Sequence, residues 1–168
     1  MKLVFKLLVL VLPMSLIAQD FSENWTEFYS YYNIKDVSNG NNKIYAAAEN
    51  AILIYDIPTD SVRTVSSVNG LSGELITAIH YSETYESLII GYENGLIEVI
   101  NDNSTEVTSV GGIIEEVSIS PLDKRINHFM EFEDNIYVST DFGIVLYNLP
   151  NLEFGDTYRI GDNGEELQ

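Results

Sequence analysis

Leu88-Ile89-Ile90-Gly91-Tyr92-Glu93-Asn94-Gly95-Leu96-Ile97-Glu98-Val99 is an apolar run, an acidic residue in a tight turn, a small residue and a second apolar run. The same order stands earlier in Ile44-Tyr45-Ala46-Ala47-Ala48-Glu49-Asn50-Ala51-Ile52-Leu53-Ile54-Tyr55. It stands again later in Ile136-Tyr137-Val138-Ser139-Thr140-Asp141-Phe142-Gly143-Ile144-Val145-Leu146-Tyr147. Aligning Ala51, Gly95 and Gly143 gives a period of about 44 to 48 residues, which is the range of four-stranded propeller blades and far from heptads or short helical repeats. The chain therefore reads as all-β, a partial β-propeller of about three four-stranded blades.

Each unit divides into four short strands. Expected are 34–37, 44–48, 52–55 and 62–65; then 76–81, 87–91, 97–100 and 106–110; then 126–132, 136–139, 145–147 and 157–160. Alternation is partial, because inner strands packed on both faces lose the polar half of the pattern. Asn94-Gly95 and Phe142-Gly143 supply the positive φ of a tight hairpin, whereas Glu49-Asn50-Ala51 places Ala at that position. That Ala either costs about 1 kcal/mol or marks a different turn. Residues 111–124, with Gly111-Gly112 and Ser120-Pro121, form an enlarged loop that accounts for the extra length of the second unit. Ahead of the first unit, Trp25-Thr26-Glu27-Phe28-Tyr29 alternates as a strand does, and its expected role is to complete the last blade of a ring.

Blades bury their faces only against one another, and rings usually close with about four to eight of them. If one face hides roughly 500 Å² of apolar surface, leaving it bare forfeits on the order of 12 kcal/mol, comparable to the stability of a whole domain. The expectation is that 19–168 is the N-terminal part of an incomplete propeller domain with further blades downstream, or else that it assembles with other copies. Asp162-Asn163-Gly164 is expected to lead into another unit, as Asn69-Gly70 does.

Residues 1–18 carry Lys2 and Lys6, an apolar run at 7–12 and then Pro13, the layout of a secretory signal peptide too short for a transmembrane helix. No transmembrane segment is expected after its removal. With no cysteine there is neither a lipid anchor of the lipoprotein type nor a disulfide, so stability rests on packing. The 168 residues hold 8 basic and 26 acidic side chains, a formal charge of −18. Losing Lys2 and Lys6 takes this to about −20. Such a surface repels nucleic acid and favours high solubility.

His80 and His128 occupy non-equivalent places in the first strands of their units, without any ligand spacing around them, so a core or channel-lining role is the stronger reading. Glu115-Glu116, the acidic cluster at 131–134 and that at 162–166 lack the spacing of a calcium loop, and solvated loops are expected there. The run at 101–105 reads as a turn between strands. No GxSxG, no phosphate-cradling glycine loop and no Ser/His/Asp set appears, so no catalytic, cofactor-binding or metal-binding residue and no cofactor is assigned. Tyrosines, including Tyr29, Tyr31 and Tyr32, are attributed to strand packing before ligand stacking. Asn24-Trp25-Thr26 and Asn103-Ser104-Thr105 are sequons that matter only in a eukaryotic secretory route. Asp60-Ser61-Val62 resembles the Asp-Ser/Thr-apolar acceptor of O-glycosylation in Bacteroidetes, which makes Ser61 the candidate modified residue.

Trp25-Thr26-Glu27-Phe28-Tyr29-Ser30-Tyr31, Ile44-Tyr45-Ala46-Ala47, Val68-Asn69-Gly70-Leu71-Ser72, the second-unit run 88–95 and Tyr137-Val138-Ser139-Thr140-Asp141-Phe142-Gly143-Ile144 together resemble the opening of PorZ-type proteins. These carry an N-terminal β-propeller and belong to the type IX secretion system of Bacteroidetes. The resemblance implies a non-enzymatic binding or scaffold role, exported to the periplasm or the outer-membrane cell surface, assisting attachment of secreted cargo. Its implied partners are secretion-complex proteins and surface glycan or lipopolysaccharide. It carries over no site residue. Gly-Leu-Ser and Asn-Gly-Leu turns also recur in sensor-kinase propellers, so a periplasmic sensor region of a two-component regulator is the alternative. A propeller enzyme with carboxylates gathered at the channel is a third reading.

Overall fold

The computed structural model describes residues 33–160 apart from Asn103 and Thr105, together with Glu166 and Leu167. The segments expected to be a signal peptide (1–18) and a strand (25–29), the first sequon, Tyr29, Tyr31, Tyr32 and Asp162-Asn163-Gly164 lie outside the described residues, as do Asn103 and Thr105 of the second sequon.

Strands β1 (Asp36–Gly40), β2 (Lys43–Ala47), β3 (Ile52–Asp56) and β4 (Ser61–Val65) form one sheet in that order. A second sheet contains β5 (Ile76–Ser82), β6 (Ser87–Tyr92), β7 (Ile97–Asn101) and β8 (Val107–Val110). The third contains β9 (Ile126–Phe132), β10 (Asn135–Thr140), β11 (Gly143–Asn148) and β12 (Glu153–Ile160), with β13 (Glu166–Leu167) added beside β12. All neighbours are antiparallel. First strands lie side by side, β1 against β5 and β5 against β9. The three meanders are thus successive blades of a partial β-propeller.

The first strand begins two residues later than expected and runs through the polar Ser38-Asn39-Gly40. The reason is the turn: Asn41 and Asn42 both take positive φ (46° and 56°), a two-residue type I′ connection that pairs Gly40 with Lys43. Asp36 and Ser38 face the second blade, accepting from the backbone N–H of Ile79 and Tyr81, both at 2.9 Å. The last strand of the third blade is longer than predicted, and Glu166–Leu167 pairs antiparallel with it through Arg159 and Ile160.

The three repeat turns also differ. Ala51 has no positive φ, and Ala48 N–H donates to its carbonyl across a four-residue connection, so the Ala marks a different turn rather than a strained one. In the second blade Gly95 takes φ 87°, closing Tyr92-Glu93-Asn94-Gly95, and pairing resumes only at Gly91 with Ile97. Leu96 is therefore an extra turn residue. Ile52, Ile97 and Ile144 are the structural equivalents, one place off the sequence alignment in the second unit. In a strand that one-residue slip exchanges the two faces.

Packing follows from these registers. Leu88, Ile90 and Tyr92 of β6 point to the first blade, where Tyr45, Ala47, Ile52 and Ile54 complete a core. Ile89 of β6 points the other way with Ile97 and Val99, meeting Ile126, Phe129, Ile136, Val138, Val145 and Tyr147 of the third blade. Every residue of β6 is buried. At Gly91 the second and third blades approach closely: a Cβ there would lie 2.6 Å from Ile126 Cγ2 and 2.7 Å from the Phe129 ring.

Candidate functional site: a cleft between the second and third blades

Most of the chemically versatile side chains join blades to one another. Asp102, read from sequence as a turn residue, is largely buried and accepts hydrogen bonds from Asn41 Nδ2, from Lys43 Nζ at 3.2 Å and from Tyr81 OH at 2.7 Å. Burial alone would raise its pKa; the bonds from Asn41, Tyr81 and Lys43 outweigh this and hold the carboxyl below its ordinary value. First and second blades are pinned together at that rim.

Glu98 is 1% exposed and faces the first blade. It accepts from Ser72 N at 3.1 Å, from Ser109 Oγ at 3.2 Å and from Tyr92 OH. Burial, then that bond to Glu98, pushes the Tyr92 phenol far above its usual pKa. The Asn69-Gly70-Leu71-Ser72 run thereby acquires a structural meaning. Leu71 is buried in the first interblade core, and the next N–H is received by the Glu98 carboxylate.

His80 and His128 separate in space and in role. His80 Nε2 lies 3.0 Å from Glu131 Oε2, and Ser82 Oγ donates to the other oxygen of Glu131 at 2.9 Å. Serine and histidine thus share one carboxylate instead of forming a nucleophile–base pair. His128 is exposed on the outer face of the third blade. The cluster at 131–134 is accordingly not just a solvated loop, since Tyr85 OH also donates to Asp134 at 2.6 Å and joins second blade to third. Burial takes up Tyr45, Tyr92 and Tyr147, with Tyr45 stacked on Tyr81 at 5.0 Å between ring centroids. No group of three His, Asp or Glu side chains suited to a metal ion occurs among the described residues. Ser61 opens the edge strand β4 on an exposed turn, with Asp60 at φ 53° bonded to Tyr55 OH and Ser61 Oγ 2.8 Å from Thr59 Oγ1.

At the opposite rim the same two blades part. A cleft of about 420 Å³ opens between the turns of the second and third blades. Glu93 and Asn94, from the β6–β7 turn, line one side, and Asp141, from the β10–β11 turn, lines the other. Glu74 and Leu75 enter from the linker before β5, while Pro121, Leu122 and Arg125 enter from the linker before β9. Arg125 Nη1 stands 3.9 Å from Glu93 Oε1, a loose pair whose partners are each about half exposed. The enlarged loop 111–124 is therefore part of this cleft's wall. Its signals in the sequence are the excess length of the second unit and the Gly111-Gly112 and Ser120-Pro121 pairs.

A family model described as TSS9, PorZ, N-terminal beta-propeller domain matches residues 44–168. The chain belongs to that PorZ family. Among solved structures it is similar to PorZ of Porphyromonas gingivalis, named as an essential bacterial surface component of the type-IX secretion system. That likeness has a TM-score of 0.71 at 20% identity, over 80% of this chain and 18% of that one. It is also similar to an extracellular domain from B. thetaiotaomicron, named as belonging to a hybrid two component system (TM-score 0.62, 14% identity, 84% of this chain and 20% of that one). A computationally designed protein, Ika4, shares the fold at a TM-score of 0.58 and 14% identity, over 79% of this chain and 76% of that one. At such identities these likenesses establish the fold. No curated protein matches the chain. The chain spans less than a fifth of the P. gingivalis PorZ chain. No helix among the described residues is long and apolar enough to cross a membrane.

Proposed function

We propose that the chain is a non-catalytic binding and scaffold module of a type IX secretion accessory protein, exported to the periplasm or the outer-membrane surface, where it assists attachment of secreted cargo. The family match carries this reading. Its physical support is the use of the versatile side chains: His80, Ser82, Glu98, Asp102 and Glu131 are all engaged in fixing blade to blade. A rigid ring fragment with loops at its rims serves recognition. The partners are secretion-complex proteins and surface glycan or lipopolysaccharide. The domain we propose is larger than three blades, because the outer faces of the first and third carry exposed apolar side chains of the kind that adjacent blades cover elsewhere in the chain. Ser61 is the proposed O-glycosylation acceptor.

The alternative is the sensor region of a two-component regulator, favoured by the shared fold of the B. thetaiotaomicron extracellular domain. Deleting the gene in its host separates the two. On the first reading, cargo that is normally surface-attached is released into the medium, and transcript levels stay the same. Attached cargo together with a changed transcript profile would instead support the sensor.

A further inference from the structure

Linker length distinguishes the two interblade junctions. Ten residues, 66–75, join β4 to β5, whereas fifteen, 111–125, join β8 to β9. Extra length in a connection is usually slack, and slack chain is mobile. This one is pinned. Ile113 and Ile119 are buried, and Lys124 is 6% exposed with its Nζ donating to Ile114 O at 2.6 Å. Ser120 Oγ accepts from Leu122 N–H at 3.3 Å, while Asp123 N–H returns to Ser120 O at 3.0 Å. On this fixed backbone Leu122 nevertheless stands 87% exposed at the lip of the cleft.

The cleft's charge is as uneven as its wall. Glu74, Glu93 and Asp141 face one cation, Arg125, whose nearest carboxylate oxygen is 3.9 Å away. An anion brought to Arg125 meets three carboxylates in a chain of net charge −18, and repulsion exceeds what one half-exposed guanidinium returns. A cation gains from all three. Its volume of about 420 Å³ falls within the range of ligand-sized sites and exceeds what a bare ion needs.

We propose that this cleft receives a basic segment of a partner protein, with a Lys or Arg side chain placed among Glu74, Glu93 and Asp141 and an adjoining apolar side chain laid on Leu122 and Pro121. The inference rests on the reading of the chain as a binding module, and it deepens that reading by assigning the site and the chemistry of one partner. Anionic glycan, if bound by this protein, docks elsewhere.

The probe is the acetylated tripeptide amide Arg-Leu-Arg, titrated into the isotopically labelled full chain and followed by amide chemical shifts. Saturable shifts centred on Leu122, Glu93 and Asp141 are expected, with binding about ten-fold weaker in the double variant E93Q/D141N and several-fold weaker in 0.5 M salt. Leu122→Ser, at a site too exposed to affect folding, is expected to weaken binding about five-fold and keeps the test decisive should the double variant misfold. Equal affinity for Asp-Leu-Asp, shifts centred away from the cleft, or unchanged affinity in L122S and E93Q/D141N would overturn the site. Lipopolysaccharide binding without any peptide binding overturns the cleft assignment and leaves the binding-module reading standing. Peptide binding in the cleft alongside normal cargo attachment in the deletion strain keeps the site and removes the secretion role.

Discussion

The middle blade and its two neighbours are built from nearly the same sequence pattern, yet they are buried very differently. Ile44, Leu88 and Ile136 occupy one repeat position, on the face that looks toward the preceding blade; they are 38%, 2% and 0% exposed. Ile52, Ile97 and Ile144 occupy another, on the face toward the following blade, and are 0%, 0% and 42% exposed. Isoleucine at one structural position is fully buried in the first and second blades and open in the third. Burial in this architecture is a property of the neighbouring blade, and the residue merely permits it. The same rule explains the exposed Val37 and Val62 on the first blade, and Met130, Phe132 and Tyr158 on the third.

The largest effect expected from this contrast is in core truncation. Ile97→Ala should destabilise the protein by about 2–5 kcal/mol, since it opens a cavity between the second and third blades. Ile144→Ala, at the exposed equivalent, should change stability by no more than about 0.5 kcal/mol. Chemical denaturation of the two variants measures both. Equal costs would mean that something covers the third blade's outer face in solution, and the comparison would break.

Glu98 sharpens the contrast from the polar side. Its counterparts are Leu53 and Val145 in the first and third blades, so only the middle blade places a carboxylate at this position. Glu98→Ala strands the buried Tyr92 hydroxyl and removes the acceptor of Ser72 N–H and Ser109 Oγ, which lie on exposed residues, with an expected loss of about 2 kcal/mol. Glu98→Gln keeps acceptor capacity and should cost less. Equal losses for the two would show that size and packing, rather than the accepted hydrogen bonds, hold the interface there.

How far the sequence reveals this follows from the range of each interaction. Apolar runs and turn residues are local signals, and they place β5, β6, β7 and β9 within a residue of their observed bounds. β1 escapes because its polar Ser38-Asn39-Gly40 looks like a turn, until Asn41-Asn42 is recognised as the actual two-residue connection. Leu96 escapes because an extra turn residue leaves the apolar pattern intact while exchanging faces. Asp102 meets Asn41 and Lys43 across about sixty residues, a pairing that neither spacing nor composition can carry. His80 with Glu131, and the cleft walls at 74–75, 93–94 and 121–125, belong to the same long-range class. Loop 111–124 is visible as excess length, but only its buried Ile113, Ile119 and Lys124 distinguish a fixed wall from slack chain.

A smaller effect, confined to acid, is expected at the rim between first and second blades. The Asp102 carboxyl is held below its ordinary pKa, so its contribution is present above the unfolded value of about 4 and is lost as pH falls through the folded one. Thermal unfolding from pH 7 down to pH 2 should lose stability below about pH 4, and Asp102→Asn should flatten that acid limb. A variant with an unaltered acid limb would assign the loss to other carboxylates, among them Asp56 and Glu116, whose pKa values are also lowered, in both cases mainly by hydrogen bonds from Thr59 and Ser118 respectively.

Native-state hydrogen exchange, resolved to single amides, tests most directly whether a blade's stability comes from its neighbours. Protection is expected to peak in β6 and β7, to fall toward β4 and β12, and to reach its lowest values on the outer faces of the first and third blades. Uniform protection across the three blades, or stronger protection in the third than in the second, would contradict it.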